Sequence, residues 1–496
     1  MSFTDELKRN ANTTYTDNGA LAKSTSGDAL VDLFAMAGAA RNMNFETLYG
    51  LWKRARVDYP TEADNFVLYI RDIRNGGCGE RKIGRRFLKE LAMIEPEKVT
   101  RNLQKIADAG RWDDLYELID TPVEQAMWNC MREQLKKDVI GVIKNEPISI
   151  LAKWLKSVNA SSAQTRKLGK MTAIHFGLTE KEYRKTLAKL RNHLDVVERK
   201  MSAGRWNEIN FEKVPSVALN RYIKCYNNRC QEAFAEYKLA VQKGEAKINA
   251  STLYPYDIMQ KILNGEANAG GWYNINVDHA LVDSILEEQW KALPNYINED
   301  MNVLVVADTS GSMFSPNYQP IATSIGLAMY FAERNTGAYH NIFMTFSSSP
   351  QVIQLEDNMD FVTKINKIGN APWGGSTNLD KTYEMIYDMA SASGEAPAAI
   401  CVISDMQINA WARQGEDYAK TITEKWEQKF REIGLRCPKF VYWNVNAIRP
   451  TFHSGANTAY LSGYGIGPFK NLNTLLECSA LEGVLKILNL PEFTLE

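Results

Sequence analysis

An uninterrupted apolar run near the middle of the chain constrains the fold more strongly than any other feature. Residues 303–307 read Val-Leu-Val-Val-Ala and end at Asp308. Apolar residues without polar alternation are typical of a strand that is buried on both faces, as in a parallel sheet covered by helices. The sequence therefore predicts an α/β sheet in the carboxyl-terminal part of the chain.

The residues directly after this run carry oxygen atoms that could bind a metal. Ser310 and Ser312 follow Asp308 in an Asp-x-Ser-x-Ser pattern. Open α/β sheets bind ligands at the carboxyl ends of their strands, and hard cations such as Mg²⁺ or Mn²⁺ prefer oxygen ligands. We therefore expect half of an oxygen site for such a cation at this strand end.

Two later segments supply the remaining oxygen ligands. The stretch 373–379, Trp-Gly-Gly-Ser-Thr-Asn-Leu, is a glycine-rich turn that opens a helical segment and presents the hydroxyl of Thr377. A second apolar run, 400–403, leads into Ser404 and Asp405. Ser and Asp also cap helices, so the simpler alternative is that each of these residues is only a helix cap. The occurrence of all these segments in one order favours a shared metal site.

This order of motifs resembles the von Willebrand factor A domain and its metal-ion-dependent adhesion site. The resemblance implies a doubly wound, Rossmann-like α/β domain that binds Mg²⁺ or Mn²⁺. It also implies that Ser310, Ser312 and Thr377 contact the metal directly, whereas Asp308 and Asp405 act largely through bound water. In that family a threonine directly follows the Gly-Gly pair, and here Ser376 stands between them.

The amino-terminal half reads as a series of amphipathic helices separated by prolines and short loops. Thr179 and Glu182 have the spacing of a capping box, which predicts the start of a helix. After it, apolar residues recur at alternating steps of four and three residues from Tyr183 to Val197, which predicts one apolar face. A succession of such helices predicts an all-α repeat domain.

Positive charge is concentrated in one part of this helical half. The formal net charge of the chain is −1, yet residues 151–250 carry 20 lysines and arginines against 9 aspartates and glutamates. Such an excess points to a polyanionic partner, although a solvated basic face is the simpler reading of any single helix. Candidate phosphate contacts, chosen by charge density alone, are Arg166, Lys167, Lys170, Lys181, Arg184, Lys185, Lys189 and Arg191.

Two stretches of the helical half carry a second resemblance. Residues 66–81, Phe-Val-Leu-Tyr-Ile-Arg-Asp-Ile-Arg-Asn-Gly-Gly-Cys-Gly-Glu-Arg, and residues 110–115, Gly-Arg-Trp-Asp-Asp-Leu, resemble the signature of TROVE-type domains. Such domains occur in the Ro ribonucleoprotein. The resemblance implies HEAT-like helical repeats that close into a ring, a von Willebrand factor A domain joined to it, and small noncoding or misfolded RNA as the ligand.

These patterns together predict the domain organisation. We expect an amino-terminal extension at 1–27 and a TROVE-like helical-repeat domain at 28–265. A linker rich in glycine, asparagine and acidic residues would span 266–298, and the von Willebrand factor A-like domain would span 299–496.

Several other functional classes lack support in the sequence. Seven scattered cysteines argue against a disulfide framework, and the five histidines lie apart without metal-ligand spacing. The sequence has no Gly-x-Ser-x-Gly elbow, no His-Glu-x-x-His helix and no phosphate-binding P-loop. A phospho-aspartate enzyme would require further acids or a lysine around the metal. No apolar stretch reaches membrane-spanning length and the amino terminus lacks the form of a signal peptide, so we expect a cytoplasmic protein.

The sequence thus predicts a non-enzymatic RNA-binding protein of Ro type with an Mg²⁺-binding adhesion-type domain and no small-molecule substrate. The alternative is an adaptor that binds no RNA. In that alternative, an acidic side chain of a protein partner completes the metal shell at Asp308, Ser310, Ser312 and Thr377.

Overall fold

The computed structural model describes residues 3, 7, 11–39, 43–263, 277, 279–297, 301–314, 318–346, 349–371, 377–409, 420–446, 451–453, 455–465 and 467–496. Within these residues the chain begins with a short antiparallel hairpin and continues through many helices. It ends in a mixed six-stranded sheet covered by further helices. The coarse prediction of a helical part followed by an α/β part is therefore confirmed.

The hairpin and the helical part come first along the chain. The hairpin consists of β1 (Thr13–Tyr15) and β2 (Leu21–Lys23). The α-helices that follow are α1 (Ala29–Ala37), α2 (Phe45–Asp58), α3 (Pro60–Arg71), α4 (Arg81–Ile94), α5 (Pro96–Arg101), α6 (Leu103–Ala109), α7 (Glu124–Lys144), α8 (Leu151–Trp154), α9 (Ala163–His175), α10 (Glu180–His193), α11 (Val197–Ser202), α12 (Ser216–Arg229), α13 (Gln231–Gln242), α14 (Pro255–Lys261) and α15 (Ser284–Lys291). Short 3₁₀ helices lie at Trp112–Leu118, Trp206–Glu208, Phe211–Lys213 and His279–Leu281.

The α/β part contains the remaining strands and helices. Its strands are β3 (Val303–Asp308), β4 (Ile342–Phe346), β5 (Gln351–Gln354), β6 (Ala399–Ser404), β7 (Lys439–Asn444) and β8 (Thr458–Ser462). Its helices are α16 (Gln319–Arg334), α17 (Phe361–Gly369), α18 (Leu379–Ser393), α19 (Ile422–Glu432), α20 (Leu472–Glu477) and α21 (Ala480–Leu488). Two 3₁₀ helices lie at Gly311–Phe314 and Gly467–Asn471.

The strand order of the sheet is β5-β4-β3-β6-β7-β8, with β3 near its centre. All residues of β3, β6 and β7 are buried, which agrees with the apolar runs in the sequence. The pairs β4–β3, β3–β6, β6–β7 and β7–β8 are parallel, whereas the pair β4–β5 is antiparallel. The connection between β4 and β5 is too short for a crossover helix, so only a hairpin can form there. The sheet is therefore mixed.

Helix α10 starts where the sequence predicted it. The Thr179 hydroxyl accepts a hydrogen bond from the backbone N–H of Glu182, and the Glu182 carboxylate accepts one from the backbone N–H of Thr179. Tyr183, Leu187 and Leu190 form the buried face of this helix. The lysines at 181, 185 and 189 are exposed on the other side.

A buried ionic cluster holds the first helices of the helical part together. Asp114 accepts hydrogen bonds from Arg71 at 2.7 Å and from Arg85 at 2.6 Å. The neighbouring Asp113 pairs with Arg81, Arg85 and Lys156 at 2.9–3.0 Å. Burial alone would raise the pKa of Asp113, but its ion pairs with Arg85 and Lys156 lower that pKa below its ordinary value. The two acids therefore join α3, α4 and the segment after α8.

The helical part and the α/β part share one continuous core of buried residues. Helix α1 packs on β8, α14 packs on α16, and α21 lies against α1 and α3. The two parts approach closely at Gly38, where a Cβ atom would lie 2.5 Å from the backbone of Ser462. Only glycine therefore fits at the end of α1. Among the described helices, none is long and apolar enough to cross a membrane.

The ionic cluster gives a stability prediction. Replacing Asp114 with alanine leaves the guanidinium of Arg71, which is 5% exposed, without its acid. We expect Asp114→Ala to lower the free energy of unfolding by about 3–5 kcal/mol, the cost of breaking a buried ion pair. Urea denaturation followed by circular dichroism measures this loss.

Asp108→Ala is the matched control, because Asp108 is exposed and lies near the same cluster in the sequence. We expect this surface change to alter stability by less than about 0.5 kcal/mol. Equal effects of the two substitutions would contradict the role given to the cluster.

Candidate functional site

The carboxyl ends of β3 and β6 place two buried acids beside each other. The strands are parallel neighbours with Ala307 opposite Ile403, so the next residues, Asp308 and Ser404, lie opposite each other. One carboxylate oxygen of Asp308 accepts the backbone N–H of Ser310 at 2.9 Å, and the other accepts the hydroxyl of Ser404. Asp405 follows directly and is 3% exposed. The sequence prediction that both acids lie at one edge of the sheet agrees with this geometry.

Ser310 and Ser312 lie next to these acids. Their hydroxyl oxygens are 3.2 Å apart. Although burial has the larger effect on both acids, the side chain of Ser310 lowers the pKa of Asp308, and that of Ser312 lowers the pKa of Asp405. Ser310 is buried, whereas Ser312 is exposed. The four residues therefore form one cluster of oxygen atoms that opens to solvent at Ser312.

Thr377 reaches the same edge through a chain of hydrogen bonds. Its hydroxyl donates to Asn409 Oδ1 at 3.0 Å and accepts from Asn18 Nδ2 at 2.9 Å. The Asn18 amide also donates to the carbonyl of Gln407, whose backbone N–H donates to Asp405 at 3.1 Å. A hydroxyl has one proton and two lone pairs, so Thr377 keeps one lone pair for a further ligand. The preceding Gly-Gly-Ser stretch lies outside the described residues.

The amino-terminal hairpin contributes to this edge, and no sequence pattern predicted that contribution. Thr16 donates its hydroxyl to the carbonyl of Ile408, and the backbone N–H of Asp17 donates to Gln407 Oε1 at 3.0 Å. Gly19 forms an isolated antiparallel bridge with Asn409. Since Asn18 and Thr377 are 359 positions apart, local spacing carries no signal of their contact.

Burial governs the electrostatics of the cluster. It raises the pKa of Asp308 to about 7, and the charge of Asp405 adds to this rise. Burial likewise raises the pKa of Asp405, and the nearby carboxylate of Asp17 acts in the same direction. A cation at the cluster would stabilise both ionised carboxylates, because opposite charge favours the charged form.

The donor atoms of the cluster fit a hard cation. They are carboxylate and hydroxyl oxygens, with no thiolate or imidazole among the residues just described, and such a set suits Mg²⁺ or Mn²⁺ rather than zinc. In the described part of the chain, no group of three or more His, Cys, Asp or Glu side chains is arranged to hold a metal. A cation here would therefore rely on hydroxyl oxygens and water.

The predicted phosphate contacts divide into two groups. Lys167, Lys181, Arg184, Lys185 and Lys189 are exposed, and in the described part of the chain none of them has a carboxylate partner. The other three are already engaged. Lys170 pairs with Glu180 at 3.1 Å, Arg166 donates to the carbonyls of residues 160 and 161, and Arg191 donates to those of residues 152 and 155.

Comparisons with known proteins match both parts of the chain. Residues 302–480 match a domain of unknown function, DUF7788, and residues 148–302 match another, DUF2828. The chain is 26% identical over 527 aligned positions to "Uncharacterized protein L728" of Acanthamoeba polyphaga mimivirus, covering 96% of this chain and 87% of that protein. A similar solved structure is that of the Deinococcus radiodurans RO (RSR) protein, with 14% identity and a TM-score of 0.44. That match covers 93% of this chain and 98% of the other.

The contact of Asn18 with Thr377 predicts what holds the hairpin in place. In Asn18→Asp the amide donor is replaced by a carboxylate that faces the Gln407 carbonyl, so the bond to that carbonyl and the donated bond to Thr377 are lost and repulsion between the oxygens is added. We expect the backbone amides of β1 and β2 to exchange with deuterium about tenfold faster, since a hydrogen bond contributes roughly 0.5–1.5 kcal/mol.

Asp17→Asn serves as the control, because it removes a charge next to Asn18 and keeps the backbone bond of residue 17 to Gln407. Its hairpin amides should exchange no faster than those of the unaltered protein. Unchanged exchange in Asn18→Asp would show that the amide of Asn18 does not hold the hairpin.

Proposed function

We propose that this protein is a non-catalytic binding protein that takes RNA on the basic surface of its helical part and holds Mg²⁺ at the carboxyl edge of its sheet. The observation that carries the RNA proposal is the exposed face of α10. Lys181, Arg184, Lys185 and Lys189 point to solvent there. A row of basic side chains is an electrostatic match for a phosphate backbone.

The acids of α10 form no ion pair with these four basic residues. Glu180 pairs with Lys170 from α9, and the carboxylate of Glu182 accepts the hydroxyl and the backbone N–H of Thr179. The N–H donors of the basic face are therefore left for a ligand. Lys167 of α9 adds a further exposed cation. Lys170 is paired with an acid, and Arg166 and Arg191 donate to backbone carbonyls, so these three do not belong to the exposed face.

The metal proposal rests on the oxygen cluster. Ser310, Ser312 and Thr377 would hold the cation through their hydroxyl oxygens, with Asp308 and Asp405 behind them. When bound, the cation would offer an open coordination position to an acidic ligand. Hydroxyl ligands leave the cation with few anionic neighbours, which suits the binding of a carboxylate better than the activation of a nucleophile. This is why we propose a binding function rather than hydrolysis.

A second candidate function is that of a protein-interaction adaptor. It is favoured by the position of the acidic turn of the hairpin, which lies at the metal edge and brings Asp17 near Asp405. A peptide turn carrying an acid thus fits beside the oxygen cluster. An acidic turn of a partner would approach the cluster beside the hairpin, from the solvent side where Ser312 is exposed.

Charge reversal on α10 tests the RNA proposal. Single-stranded RNA should bind with a salt slope of roughly −0.7 per phosphate contact. The triple variant Lys181→Glu, Lys185→Glu and Lys189→Glu should weaken binding to all sequences and flatten the slope by about 2, because phosphate contacts position RNA without reading bases. Filter binding across a salt series measures both quantities.

A matched triple variant, Lys213→Glu, Arg221→Glu and Lys243→Glu, makes the same charge change on other exposed positions of the basic segment. We expect a smaller loss of affinity from it. If single-stranded RNA fails to bind the unaltered protein, the RNA proposal is wrong and the adaptor becomes the preferred function.

Removal of the buried acid tests the metal proposal. Asp308→Asn keeps the shape of the side chain and removes its charge, so Mg²⁺ or Mn²⁺ should no longer bind in calorimetry. The metal should also raise the melting temperature of the unaltered protein but not that of Asp308→Asn, because a ligand that binds the folded state stabilises it. The control is Asp388→Asn, which removes the same charge at an exposed position of α18 and should retain metal binding. If Asp308→Asn binds the metal as well as this control does, the proposed metal site is wrong.

A further inference from the structure

A cavity of about 220 Å³ in the helical part is lined by arginines and by no carboxylate. It lies between the loop after α8, one face of α10, and α11. Arg184 and Arg191 contribute from α10, where they are two turns apart on the same side. Arg199 contributes from α11, and Ser157 and Asn159 from the loop.

Arg191 is fixed at the wall of this cavity by neutral acceptors. It donates to the carbonyls of Ala152 and Leu155 at 2.8 and 2.7 Å and to the Ser157 hydroxyl at 3.0 Å. A guanidinium has five N–H donors, so donors remain for a ligand. Since none of these acceptors carries charge, the positive charge of Arg191 is not neutralised by them.

The other arginines of the cavity also lack acids. Arg199 donates to the carbonyl of Ala188 at 3.0 Å, and Arg184 is exposed. Across the described residues, no carboxylate forms an ion pair with either of them or with Arg191. Burial lowers the pKa of Arg191, and the like charge of Arg199 lowers it further. Like charges gathered in a half-enclosed space without an anion are costly, and a bound anion would offset that cost.

We propose that this cavity binds one phosphate group. Guanidinium groups match the oxygens of a phosphate with paired hydrogen bonds. The cavity has room for a phosphate and a few waters, because each water occupies about 30 Å³. The hydroxyl of Ser157 and the amide of Asn159 line the same space and supply neutral hydrogen-bonding groups.

The mouth of the cavity indicates the source of the phosphate. Arg184 and Ala188 are exposed at the mouth, and Lys181 and Lys185 are exposed on the same helix. A strand of RNA that lies along this basic face would pass the opening and could place one backbone phosphate inside. This part of the inference rests on the proposed RNA-binding function, whereas the cavity itself does not.

Calorimetric titration with inorganic phosphate, at constant ionic strength set with chloride, tests the cavity alone. Arg184→Gln and Arg199→Gln should each weaken phosphate binding about tenfold, since hydrogen bonds to charged groups contribute roughly 1.5–3 kcal/mol. Arg184→Lys should weaken it by an intermediate factor because the charge stays and the paired geometry is lost. Arg205→Gln is the control, as Arg205 lies outside the cavity and pairs with Glu208 at 3.1 Å.

The proposal would be overturned if the unaltered protein does not bind phosphate. It would also be overturned if Arg184→Gln, Arg199→Gln and the control bind phosphate equally well while their circular dichroism is unchanged. A second arm uses single-stranded RNA of mixed sequence. A parallel loss of RNA affinity in the two cavity variants supports RNA as the source. Unchanged RNA affinity together with lost phosphate binding overturns RNA as the source and assigns the cavity to a small phosphate compound. Failure of all RNA binding would refute the proposed function and leave the phosphate titration as a separate test.

Discussion

The candidate site depends on a carboxyl group that is buried at the end of the central strand. Asp308 is fully buried, and a buried acid is tolerated only where hydrogen bonds or a cation compensate for lost water. The backbone N–H of Ser310 and the hydroxyl of Ser404 supply that compensation. The bond from Ser310 is local, but the bond from Ser404 depends on the register of β3 with β6, because a shift of one residue would bring a different residue of β6 opposite Asp308. The sheet pairing thus fixes where the acids and the serine hydroxyls meet.

The beginning of the chain completes this edge from a distance. The hairpin reaches Gln407, and the next segment, α1, packs on β8, where the Ser462 hydroxyl accepts the N–H of Gly38 and donates to the carbonyl of Phe34. The last helix, α21, covers α1 and α3 in turn. The amino-terminal and carboxyl-terminal segments are therefore packed together, and the oxygen cluster lies beside the place where they join.

Sequence reasoning found the parts of the site that local patterns encode. Apolar runs located β3 and β6, and their carboxyl ends brought Asp308 and Asp405 together. The same reasoning could not find Asn18, because a contact over 359 positions leaves no periodic trace. It also could not separate free cations from engaged ones. Lys170 and Arg191 were chosen by charge density, yet one pairs with Glu180 and the other donates to backbone carbonyls. The predicted domain boundaries, ring closure and HEAT-like repeats remain predictions.

The placement of acids decides which basic residues build the framework and which face a ligand. Asp113 binds Lys156, and the carbonyl of Lys156 accepts the hydroxyl of Tyr183 from α10 at 2.9 Å. The Gly-Arg-Trp-Asp-Asp-Leu stretch thus connects α3 and α4 to the loop that lines the arginine cavity. Its acids neutralise the arginines of the helical framework, whereas no carboxylate lines the cavity between α10 and α11. Because basic residues occur in both places, the positions of the acids distinguish an arginine of the framework from one that is left for an anion.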